Sequence, residues 1–70
     1  MKIKMTAANE RRARNAKIAL DTYGLEDGYG ERLRDLLTDL RHWSDANSED
    51  FYAALDMSYQ HYLCERAGRL

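Results

Sequence analysis

The 70 residues contain no proline, and cysteine occurs once, at Cys64. A single cysteine excludes an internal disulfide, and no Cys/His set has metal-site spacing. Cys64 therefore reads as a reduced intracellular thiol. No apolar run approaches the length of a membrane-spanning helix. The opening MKIKM lacks the long apolar region of a signal peptide, so the expected setting is soluble and cytoplasmic, with no membrane partner. A chain this short makes one small domain with a thin core. With neither disulfide nor metal to staple it, its stability must come from well-packed helices or from a partner.

A third of the residues are charged, and Leu, Ala and Arg are common. Without proline, that composition predicts an all-α protein. Net charge is only −1, but it is unevenly spread. Lys2, Lys4, Arg11, Arg12, Arg14 and Lys17 face only Glu10 in the first twenty residues. The remainder is acidic. Such a split fits two parts that attract each other within one fold or dimer, or a basic arm for nucleic acid on an acidic body.

Three helices are expected, at about 6–22, 31–46 and 48–66, with a loop at 23–30. Thr6 is the candidate N-cap of the first, and Gly24 its stop. Its apolar stripe of Ala13, Ala16, Leu20 and Tyr23 is narrow, so it buries little area, and Ile18 points away from it. The loop GLEDGYG has three glycines in seven residues. Carrying Glu26 and Asp27, with no nearby lysine and no preceding strand, it does not suit phosphate.

In the second helix Leu33, Leu36, Leu37, Leu40 and Trp43 share one stripe, which predicts a core face anchored by Trp43. Asn47 is the expected N-cap of the third helix, with Asp50 at its N3 position. The third helix is apolar around most of its circumference. Phe51, Ala54, Leu55, Ser58 and Tyr62 form the centre, Tyr52, Tyr59 and Leu63 one flank, and Met57, His61 and Cys64 the other. Such a helix should be buried on more than one side. The expected fold is a small three-helix bundle, or a helical hairpin plus a basic N-terminal helix, alone or as a dimer, within one domain spanning 1–70.

Three constellations suggest chemistry. Asp39, His42 and Asp45 recur every third residue, a spacing that can hold a divalent ion or orient a histidine. They fall opposite the leucine stripe, where there is no pocket, and Arg41 can pair with Asp45 and His42 with Asp39. His61 and Cys64 could make a nucleophile pair, but no orienting partner is evident, and a packed histidine beside a buried thiol is expected. Helices two and three have the spacing of a helix-turn-helix, yet the third brings Glu49, Asp50, Asp56 and Glu65 against Arg66, the wrong sign for phosphate. No nucleophile, base and oxyanion set can be named, so no catalytic residue, metal or cofactor is expected.

Residues 35–63, DLLTDLRHWSDANSEDFYAALDMSYQHYL, combine a DLxxDLRH run, the pair Asp50–Phe51 and the pair His61–Tyr62. In these parts the chain resembles small all-helical proteins of phages, plasmids and other mobile elements. The resemblance covers helices two and three. It implies a setting, not a chemistry: small mobile-element proteins often act by binding a host protein, as anti-CRISPR and other anti-defence proteins do.

The function expected is non-enzymatic protein binding, to a host protein or a second copy. The aromatic and Met-bearing surface of helix three supplies the contact, at Tyr52, Met57, Tyr59 and Leu63. Arg11, Arg12, Arg14 and Lys17 supply an electrostatic contact. The alternative is a nucleic-acid-binding accessory protein using Lys2, Lys4 and the basic helix.

Overall fold

A computed structural model of the chain describes residues 5–24 and 26–68. Lys2 and Lys4 lie outside the described residues. Among the described residues the chain is all-α, with three helices, α1 (Ala7–Leu20), α2 (Tyr29–Ala46) and α3 (Phe51–Arg66), and no strand. None of them is long and apolar enough to cross a membrane.

Thr6 caps α1 as its sequence predicts. Its backbone is extended and its Oγ1 accepts from the Asn9 backbone N–H at 3.1 Å. The helix stops at Leu20, earlier than the 22 expected and well before Gly24. The Thr22 hydroxyl donates to the Ala19 carbonyl at 2.7 Å, so a local side chain satisfies part of the helix end.

Helix α2 starts at Tyr29, two residues before the expected Glu31, and takes Gly30 into its first turn. Gly28 is its extended N-cap, and the Arg32 N–H closes the first turn on the Gly28 carbonyl at 3.1 Å. Tertiary contacts of Tyr29 and Arg32 outweigh the weak helix propensity of Gly30 there.

The expected capping box is corrected by one turn. Asn47 ends α2 instead of starting α3, and its Nδ2 donates to the Trp43 carbonyl at 2.8 Å. Asp50 is the true N-cap of α3, its Oδ1 accepting from the Ala53 N–H at 3.0 Å. Between them Ser48 takes φ 55°, the left-handed conformation that lets the chain reverse within four residues. Ser44 sits inside this corner at 6% exposure, its hydroxyl donating to the Leu40 carbonyl at 2.8 Å. Arg41 crosses the same corner, 4.5 Å from the Phe51 ring centroid, and donates to the Tyr52 hydroxyl at 3.2 Å. The expected Arg41–Asp45 pair is thereby replaced, because the aromatic start of α3 offers the guanidinium a flat surface.

The expected leucine core is not closed. Among the described residues no apolar side chain is buried, and the only buried residues are Arg32 and Ser44. Leu36 is half-buried, but Leu33, Leu37 and Leu40 are exposed and Trp43 is 57% exposed. Nor is α3 covered on several sides: Tyr52, Leu55, Met57, Tyr59, Tyr62 and Leu63 are all exposed. The three helices meet mainly near their ends and lie in a slab of 34 × 31 × 19 Å, less than two helix diameters thick. The radius of gyration is 13.8 Å, against about 11 Å for a compact domain of this length.

Candidate protein-contact surface

Polar clusters hold two of the corners. Where α1 meets α2, the Tyr29 hydroxyl donates to Asp21 Oδ1 at 2.7 Å, and Lys17 Nζ donates to Oδ2 at 3.0 Å. Arg32 stacks with its guanidinium 4.6 Å from the Tyr29 ring centroid, its Nη1 3.5 Å from Asp21 Oδ1, while its Nε donates to the Asp27 carbonyl at 3.1 Å. The Tyr29 hydrogen bond, then that of Lys17, holds the Asp21 carboxyl below its ordinary value. The Asp21 and Tyr29 hydrogen bonds raise the Lys17 amine in turn. Partial burial, then the nearby Asp39 carboxylate, pushes the Tyr23 phenol upward.

Where α1 meets α3, Asn9 Nδ2 donates to the Glu65 carbonyl at 3.0 Å and Arg12 Nε lies 3.3 Å from Glu65 Oε2. The attraction expected between basic and acidic halves is thus realised inside the chain, among the described residues, by the Arg12–Glu65 and Lys17–Asp21 ion pairs. The other basic candidates divide. Lys17 is engaged by Asp21, whereas Arg11 and Arg14 are exposed and meet no carboxylate among the described residues.

The four contact residues expected on α3 are all exposed, but they do not form one patch. Tyr52, Tyr59 and Leu63 follow one another at helical spacing along one line. Met57 lies on another side, in a shallow open concavity with Ala54, Ser58, His61 and Glu65. His61 is exposed there instead of packed, and Cys64 beside it is a half-buried free thiol. The histidine is left open because α1 reaches α3 only at its far end, through Glu65.

Asp39, His42 and Asp45 are all exposed on α2. Among the described residues no three His, Cys, Asp or Glu side chains converge to hold a metal ion. The sequence reading missed the second half of the apolar surface. Leu33, Leu37, Leu40 and Trp43 are a surface stripe, and with α3 they make two adjacent helices whose apolar side chains lack cover. The signal was the stripe itself; periodicity says that a face is covered, not which chain covers it.

Nearly all the large apolar side chains of α2 and α3 are thus exposed. No family model, curated protein or solved structure matches the chain.

Proposed function

We propose that this chain is a non-enzymatic protein-binding module of mobile-element origin, acting in the cytoplasm through contact with a host protein or a second copy of itself, in the manner of anti-defence inhibitors. The supporting observation is the exposed apolar surface of α2 and α3, where Leu33, Leu37, Leu40, Trp43, Tyr52, Tyr59 and Leu63 lack cover. Aromatic and Leu side chains exposed together on a chain of this size favour a protein partner. The DLxxDLRH and HY resemblance supplies the setting. The test compares tagged wild type with the Tyr59→Asp, Leu63→Asp double variant in extracts of the natural host. A stoichiometric complex formed by wild type and lost in a variant of unchanged helicity supports the reading. Capture that the double variant retains removes it.

A second reading rests on Arg11 and Arg14, which are exposed on α1 and meet no carboxylate among the described residues. In it, the basic helix with Lys2 and Lys4 grips nucleic acid through phosphates. Binding to DNA or RNA that falls steeply with salt supports this alternative, and absence of binding at low salt removes it.

A further inference from the structure

We propose that the occupant of the apolar α2–α3 surface is a second copy of this chain, in a dimer whose formation completes the fold. The inference rests on the reading of that surface as a protein-contact face and specifies its partner.

Area supplies the first argument. The single chain exposes 6088 Å², whereas a compact monomer of 8.2 kDa exposes about 4,500 Å². The excess is roughly 1,500 Å² per copy. Two copies that cover most of it against each other bury about 2,000–3,000 Å² in total, the range of obligate dimers. With no buried apolar side chain among the described residues, the separate chain lacks the core that folding requires. Pairing supplies it from the exposed stripe of α2, Leu33, Leu37, Leu40 and Trp43.

Charge gives the second argument and favours a copy over an unrelated partner. Residues 42–65 contain Asp45, Glu49, Asp50, Asp56 and Glu65 and no Lys or Arg. Asp50 caps α3 and Glu65 pairs with Arg12, which leaves Asp45, Glu49 and Asp56 outside any ion pair among the described residues. Arg11 and Arg14 on α1 are the matching cations. A surface with both signs on separate segments is complementary to itself under a two-fold axis, α1 of one copy meeting the acidic stretch of the other.

The experiment is sedimentation equilibrium and thermal unfolding of the full chain from low to high micromolar concentration, at low and moderate salt. The expected species is 16.4 kDa, twice the 8.2 kDa chain, with a Tm that rises with concentration. Two charge-reversed variants follow, Arg11→Glu with Arg14→Glu, and Asp45→Lys with Glu49→Lys, all at exposed positions. Each should weaken its own dimer at least about tenfold, and mixing the two should restore association as a heterodimer. A monomer at all concentrations, unfolding cooperatively at constant Tm, overturns the proposal. If that monomer still forms a stoichiometric host complex, the protein-contact reading survives without it; if it forms none, both fall. Dimers that mixing fails to restore overturn the charge-paired arrangement.

Discussion

Arg32, among the most enclosed residues at 9% exposure, places its guanidinium 3.5 Å from the Asp21 carboxylate and 4.6 Å from the Tyr29 ring centroid. Asp21 ends α1 and Tyr29 begins α2, so one side chain ties the end of one helix to the start of the next. It also takes the Asp27 carbonyl, which fixes the intervening loop. A planar fork suits three simultaneous neighbours better than an ammonium does.

Replacing Arg32 with Ala should therefore cost about 2 kcal/mol, the scale of charged hydrogen bonds lost from an enclosed site. Arg32→Lys should recover little of it, because the stacking and the fork geometry are both lost. Urea unfolding at fixed protein concentration reads the difference. A lysine variant as stable as wild type would show that charge alone holds this corner.

The same corner gives a pH dependence. Asp21 is held below its ordinary value of 3.8, so the native state binds fewer protons at this site than the unfolded state as pH falls past that value. Its contribution is fully present above 3.8 and is lost as pH drops through the lower folded value. The Tm gap between wild type and Asp21→Asn should narrow as pH is lowered below 3.8. Lys17 acts with the opposite sign: its raised value makes its contribution complete below 10.5, fading as pH rises through the folded value. A gap that stays constant into strong acid would contradict the ion pair.

At the α2–α3 turn, Ser48 holds φ 55° with a Cβ that disfavours it. Ser48→Gly should stabilise the chain by up to about 1 kcal/mol, since glycine adopts this region without the steric cost. Asp50→Ala should destabilise it by about 1 kcal/mol through loss of the Ala53 cap. Asn47→Ala should cost less, because Asn47 closes α2 and does not start α3. If the order of Asp50 and Asn47 were reversed, the cap assignment would be wrong.

Local chemistry made the helices legible in the sequence, and distance made their packing illegible. Thr6 capped where a threonine before an alanine-rich run should, and the three helices fall near their expected places. The cap at Asn47 was misplaced because Asn47 and Asp50 are both good caps, and only the left-handed Ser48 decides between them. The stripe from Leu33 to Trp43 was visible, but periodicity carries no information on whether the covering side chains come from the same molecule. The Tyr29–Asp21–Arg32 corner was invisible, since it depends on how a glycine-rich loop brings together residues that no periodic pattern links.

Trp43 gives the apolar surface its own reporter, because it is the only tryptophan and stands 57% exposed beside Leu40 in the single chain. Covering α2 with a second copy moves its indole from water into contact with apolar side chains. Emission should therefore shift to the blue, and acrylamide quenching should fall, as protein concentration rises through the association range. The Asp45→Lys, Glu49→Lys variant should reach the same shift only at higher concentration, and mixing it with the Arg11→Glu, Arg14→Glu variant should restore it. Trp43→Phe keeps most of the apolar area, so it should leave the sedimentation behaviour close to wild type while removing the signal. Emission that matches a fully solvated indole at every concentration, in a sample that sediments as a dimer, would place the contact away from α2 and confine it to the Tyr59–Leu63 side of α3.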